Sequence, residues 1–132
     1  MRLTAKDRSD LHARFDGRCA YCGTALGERW HADHVDPVIR QTRYERGKGW
    51  QRGDALHPQR DCLENLMPAC APCNISKGPY CLEGWRGELA KTLGIMRRNY
   101  PTYRTAIRFG MVSETVAPIV FHFERANEHR TA

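Results

Sequence analysis

Four of the six cysteines in the chain fall into two C-x2-C pairs, Cys19/Cys22 and Cys70/Cys73. Two intervening residues let both thiolates of a pair turn toward one ion, and two pairs complete the tetrahedral four-sulfur shell of a structural zinc site. The pairs stand about 47 residues apart, well beyond the roughly 15–20 of a zinc ribbon, so the ion would tie together the two ends of an insert. A shell closed by four protein ligands leaves no open position, which predicts a structural Zn2+ and not a catalytic one. Four buried structural thiols, or a thioredoxin-like redox pair, are the competing readings. Two redox pairs in one small basic chain fit poorly. Cys62 and Cys81 have no partner at ligand spacing and are expected as free thiols.

Inside the insert lies Trp30-His31-Ala32-Asp33-His34-Val35-Asp36-Pro37, and Glu64-Asn65-Leu66-Met67-Pro68-Ala69 leads into Cys70-Ala71-Pro72-Cys73-Asn74-Ile75-Ser76-Lys77-Gly78. An Asp-His pair alone is usually a surface pair or a satisfied core pair. Framed by both cysteine pairs, Asn65 and Asn74, it resembles the HNH endonuclease family. Zinc-bearing members of that family read C-x2-C, D-H-x-x-P, N-L and C-x2-C-[HN]-x2-K in this order. The likeness spans Cys19 to Gly78, a little under half of the chain, and the flanking segments resemble small phage-encoded members.

The resemblance implies a ββα-metal core, two antiparallel strands and a helix gripping one divalent cation. Position by position, it makes His34 the general base and Asp33 a carboxylate ligand of the cation. Asn65 becomes the residue that orients the base and braces the loop, and Asn74 a second cation ligand. That last position is histidine in many members. The chain therefore reads H-N-N, a variant also found in the HNH domain of RNA-guided CRISPR nucleases. Phosphodiester hydrolysis needs a deprotonated water in line with the leaving oxygen and a cation to absorb charge on the phosphate. An imidazole can take that proton at neutral pH. An amide oxygen at position 74 in place of an imidazole makes the ligand set harder, which predicts Mg2+ or Mn2+ at the catalytic site. The same resemblance implies DNA as substrate, with 3′-hydroxyl and 5′-phosphate products. One site per chain cuts one strand, so a double-strand break needs a homodimer or two encounters; phage packaging proteins are the further partners it suggests.

Around these residues the pattern predicts a small α+β fold, a single domain over residues 1–132 with its motif core at 19–78. Thr4 to Phe15 reads as a helix with Leu3, Leu11 and Phe15 on one face. Arg29 to Val35 reads as a strand ended by Asp36-Pro37, and Leu66-Met67-Pro68 as a second. A short helix runs through Asn74 to Lys77 and stops at Gly78. Leu82 to Leu93 is expected as one helix with Leu82, Trp85, Leu89 and Leu93 inward and Gly94 capping it. Pro101 to Phe109 gives another helix, Pro118 to Phe123 a late strand, and the polar C-terminus should fray. Between Val38 and Asp61 the periodicity is lost, and a long loop there is more often functional than not.

Lys and Arg total 21 against 15 acids, a formal charge of +6. A basic surface suits a polyanion. Arg40, Arg43, Arg46, Lys48 and Arg52 in the long loop, with Lys77, are the expected phosphate contacts. Such contacts position a duplex without reading it. His31, two residues before Asp33, is expected on that residue's face; Trp30, Trp50, Trp85 and the tyrosines are expected in the core. Hydrophobic residues make up 41% of the chain and charged residues 27%. No apolar run approaches the roughly 18 residues of a membrane helix, and nothing at the N-terminus resembles a signal peptide, so the expected address is cytoplasmic. A non-catalytic zinc module that binds DNA or protein, and a nuclease acting on RNA, are the rival readings.

Overall fold

The computed structural model describes residues 1–130. The first helix, α1 (Ala5–Arg14), starts where Thr4 and Asp7 exchange hydrogen bonds: the Thr4 hydroxyl accepts from the Asp7 amide, and the Asp7 carboxylate accepts from the Thr4 amide. This reciprocal cap satisfies two otherwise unpaired donors. Leu11 is the residue α1 buries, and the helix leans on the strand that follows much later in the chain.

Two antiparallel two-stranded sheets come next. Strand β1 (His31–His34) pairs with β4 (Leu66–Ala69), setting Asp33 opposite Met67 and His34 opposite Leu66. Strands β2 (Arg40–Glu45) and β3 (Gly49–Ala55) form a hairpin inserted between them, followed by two 3₁₀ turns at Pro58–Arg60 and Leu63–Asn65. β4 feeds directly into α2 (Ala71–Lys77), which has Pro72 in its first turn and ends at Gly78. Proline costs little there because that N–H has no helical partner. Among the described residues four more helices follow: α3 (Leu82–Leu89), α4 (Thr92–Asn99), α5 (Pro101–Arg108) and α6 (His122–Arg130). The class is α+β, as the sequence predicts, and among the described residues no helix is long and apolar enough to cross a membrane.

Three elements differ from expectation. The segment expected as a loop over 38–61 holds the β2–β3 hairpin, whose first strand is exposed along nearly its whole length. With no buried face, it has no apolar alternation to announce it. Gly53 makes a bulge possible: a Cβ there would lie 2.8 Å from the Gln41 carbonyl oxygen. The single helix expected over 82–93 is two helices. The first ends as the Lys91 amide reaches back to Glu88 at 3.1 Å and the Thr92 hydroxyl donates to the Leu89 carbonyl at 2.7 Å; Gly94 lies inside α4 and caps nothing. The late strand is absent. The amides of His122 and Phe123 bond the carbonyls of Tyr21 and Ala20, at 2.9 and 2.8 Å, which docks the segment without a partner strand. Glu124 then accepts from the Phe121 amide at 2.9 Å, turning the chain into α6. The polar C-terminus, expected to fray, is helical to Arg130, and residues 131–132 lie outside the described residues.

The core is small and aromatic. Tyr21, Trp85 and Phe121 are buried with Cys19 and Ala69, and Leu26, Met67, Leu89 and Ile119 pack around them. Trp85 stacks on Phe121 at 5.1 Å while Tyr21 meets Trp85 edge-on at the same distance, geometries that favour the ring quadrupoles. Trp85 Nε1 donates to the Ser76 hydroxyl at 2.9 Å, joining this core to α2.

Candidate metal centre and active site

The two cysteine pairs converge. The Sγ atoms of Cys19, Cys22, Cys70 and Cys73 all lie within 4.8 Å of one another, and those of Cys22 and Cys70 are 3.8 Å apart. A tetrahedron with metal–sulfur bonds of about 2.3 Å has edges of about 3.8 Å, so this spacing suits four thiolates around one cation. None of the six cysteines is in a disulfide. The first pair sits in a turn closed by Gly23 donating to the Cys19 carbonyl at 2.9 Å. Gly23 has φ +79, and a Cβ on it would lie 2.9 Å from His122 Nδ1; glycine is the residue this turn accommodates. The second pair straddles the start of α2, where the Asn74 amide bonds the Cys70 carbonyl at 3.0 Å.

Ionisation of these thiols is uneven. Burial opposes the Cys19 thiolate, yet the backbone N–H groups of Cys22, Cys70 and Tyr21 outweigh it and bring the group below its ordinary value. Burial, then the neighbouring Cys19 charge, pushes Cys73 far up, and burial raises Cys70 as well. Four sulfurs this close therefore share negative charge only when a cation balances it.

The thiol frame leads to the other candidate residues through Tyr21. From its place in the knuckle turn, its Oη donates to Asp33 Oδ2 at 2.5 Å. The same oxygen lies 3.3 Å from Lys77 Nζ. Lys77 is fully buried, and its ammonium also donates to the His34 carbonyl at 2.8 Å. Lys77 is consequently no phosphate contact: it is enclosed, with its charge committed to Asp33 and to the backbone of the next residue. Asp33 keeps its second oxygen, Oδ1, which makes no hydrogen bond or ion pair among the described residues.

Asp33 and His34 share the wall of an open cleft of about 410 Å³ with Arg40, Arg52 and Asp61. Alternation along a flat strand would send the two side chains to opposite faces; here both reach one cleft. Beyond β1 the chain swings through Ile39, which takes φ +52, a conformation costly for a β-branched residue. It is held there by the Leu56 amide, which donates to the Ile39 carbonyl at 2.8 Å. The next residue, Arg40, stands in the cleft wall.

Asp61 is a residue of the cleft that the sequence did not announce. Its Oδ1 lies 2.9 Å from His34 Nε2, while the Met1 amino group and His34 together hold its carboxyl below the usual range. An ionised carboxylate can only accept a hydrogen bond. Nε2 therefore carries a proton in this contact.

Asn65 hydrogen-bonds the loop and, among the described residues, makes no hydrogen bond to the His34 ring. Its Nδ2 donates to the carbonyls of Asp36 and Arg60, both at 2.8 Å, and its Oδ1 accepts from the Asp36 amide at 3.0 Å. The side chain hydrogen-bonded to the His34 ring is that of Asp61. Asn74 sits on α2 beside Cys73 and is not among the residues lining the cleft. His31 is exposed and is likewise absent from the wall. Of the basic residues, Arg40 and Arg52 line the cleft, while Arg43, Arg46 and Lys48 are exposed along the hairpin. Trp50, expected in the core, is 73% exposed and Tyr44 is 64% exposed. Trp30 is partly buried, with the Arg8 guanidinium 4.1 Å above its ring.

No family model, curated protein or solved structure matches this chain.

Proposed function

We propose that the protein is a metal-dependent endonuclease of the HNH type that hydrolyses phosphodiester bonds in DNA. The observation that carries this reading is the cleft itself. In it, a carboxylate oriented by Tyr21 and Lys77 stands beside an imidazole oriented by Asp61, facing Arg40 and Arg52. A phosphodiester needs these elements: a proton acceptor, a carboxylate for a cation, and positive charge for its oxygens.

The four cysteines hold a structural Zn2+, whose preference for tetrahedral thiolate matches their spacing. Asp33 Oδ1 would hold Mg2+ or Mn2+; Asn74, expected as the second ligand, stands outside the cleft wall. Such a thin all-oxygen protein set suits a cation that keeps waters and takes substrate phosphate oxygens as ligands. That cation supplies charge neutralisation on the scissile phosphate. The protein does the rest. Asp61 fixes the ring of His34 so that Nδ1 accepts the proton of the attacking water. Arg40 and Arg52 bind phosphate oxygens, while Tyr21 and Lys77 keep the Asp33 carboxylate aimed.

The test is cleavage of plasmid DNA, linear DNA and RNA with Mg2+, with Mn2+ and with no added divalent cation. DNA should be cut only with added cation. His34→Ala should bind DNA normally and cut at least about 100-fold more slowly, the loss expected for a general base. Equal cutting by wild type and variant defeats the assignment. Binding without cutting under every condition leaves a zinc-stapled binding module, and cutting of RNA alone changes the substrate class.

A further inference from the structure

From the β2–β3 hairpin we infer a base-stacking platform for an unpaired stretch of a DNA strand, with Tyr44 and Trp50 as its floor. The inference rests on the nucleic-acid reading above and adds the form of the substrate. The register of the hairpin sets Thr42 opposite Arg52 and Tyr44 opposite Trp50. Alternation then places Arg40, Thr42, Tyr44, Trp50 and Arg52 on one face. Arg40, Thr42 and Arg52 already line the cleft, so the ring pair lies on the same face, one pleat further out, about 7 Å along the strand from Thr42. A strand whose phosphate sits at Arg40 and Arg52 thereby lays a neighbouring base over the rings.

Three observations favour this occupant. Tyr44 and Trp50 meet edge to face, with centroids 5.6 Å apart and planes 71° apart. A pair serving only to zip the two strands would gain by being covered, yet these rings are 64% and 73% exposed, an unusual place for such large apolar area. The hairpin is also cationic: residues 40–55 hold five Arg or Lys (Arg40, Arg43, Arg46, Lys48, Arg52) against Glu45 and Asp54, a net +3. Cations interleaved with open aromatic faces are how single strands are gripped without regard to sequence, backbone by charge and bases by stacking. Paired bases keep their faces inside the duplex and offer only edges. The platform therefore selects bases that are already unstacked, as at a gap, a flap or a single strand.

The experiment measures binding of uncut fluorescent 15-mers to the full chain with no added divalent cation. The probes are oligo-dT, an abasic strand with the same phosphates, and the dA·dT duplex. Wild type should bind oligo-dT at least about tenfold tighter than the abasic strand, the effect expected of stacking one or more bases, and tighter than the duplex. Tyr44→Thr with Trp50→Thr keeps strand propensity and should bind oligo-dT no better than the abasic strand. Tyr44→Phe with Trp50→Phe should retain most of the preference. Thermal unfolding should be the same for all three proteins, since neither ring is part of the core. Equal affinity of wild type for oligo-dT and the abasic strand overturns the inference, as does tighter binding of the duplex or a preference that survives in the threonine variant. Cleavage that depends on His34 with no such preference removes the platform and leaves the endonuclease; the preference without cleavage does the reverse.

Discussion

The thiol-and-aromatic half of the molecule and the hairpin arm are built on opposite terms. In the first, Cys19, Tyr21, Trp85, Phe121 and Lys77 are each almost completely buried, and polar groups such as Tyr21 Oη and Lys77 Nζ spend their hydrogen bonds on Asp33 and the backbone of His34. In the second, Arg40 through Tyr44 are all exposed, and its one internal ion pair, Lys48 with Glu45, lies at the surface. One region positions the candidate site by being closed, and the other is free to make contacts because it is open. Changes in the first should therefore be felt in stability, and changes in the second in binding.

The largest effect should come from the metal. Apparent binding free energies of structural zinc in small domains are about 10–16 kcal/mol, comparable to the whole stability of an ordinary domain at about 5–15 kcal/mol. Cys70→Ser should lower the bound metal, counted by elemental analysis, from one equivalent to near none and abolish the cooperative thermal transition. Chelation of the wild-type protein should do the same. A sharp transition that persists in metal-free protein would mean the aromatic core suffices alone, and the contrast between the two regions would lose its cause.

Next in size is Lys77. Removing one partner of a buried pair leaves an uncompensated charge and costs about 3–5 kcal/mol. Lys77→Met should lower stability by about that much in denaturant unfolding, and Lys77→Met with Asp33→Leu should recover most of the loss, since both charges then disappear. Additive losses would show that the two groups do not act as a pair.

How far these regions were legible in the sequence follows from the same contrast. The metal knuckles, α1, and the β1–β4–α2 unit could be read because spacing and apolar punctuation serve a buried purpose. The hairpin could not, since β2 is exposed on both faces and the half-buried face of β3 carries Gly49, Gln51, Gly53 and Ala55, too little apolar surface to make an alternation. Gly47 and Gly49 beside the aromatic Tyr44 and Trp50 were its only signals. Within the site, Asp33 and His34 were visible through their motif. Their supports were not: Tyr21 was expected only as a core residue, Lys77 as a phosphate contact, and Asp61 as one more acid in a loop. Each acquires its role only when segments 12, 44 and 27 residues apart meet, at Tyr21–Asp33, Lys77–Asp33 and Asp61–His34.

The smallest expected effect concerns acid. Arg86 lies at the edge of the aromatic core, its guanidinium 4.6 Å above the Phe121 ring and in contact with Glu124 through both terminal nitrogens, at 2.9 Å each. That contact holds the Glu124 carboxyl below its ordinary value of 4.5. A group whose folded value is depressed binds protons more readily when unfolded, so its contribution is complete above the ordinary value and fades as pH falls through the folded one. Glu124 should thus stabilise α6 against α3 at pH 7 and lose that effect below about pH 4.5. Glu124→Gln should lower the melting temperature by a few degrees at neutral pH, since partly exposed ion pairs are worth about 1 kcal/mol or less, and the difference from wild type should shrink as pH falls toward 3. The corresponding change in the arm, Glu45→Gln, should leave the melting curve unmoved at either pH, because its pair with Lys48 holds nothing to the core. A pH-dependent shift from Glu45 as large as that from Glu124 would show that the hairpin shares in the stability of the frame.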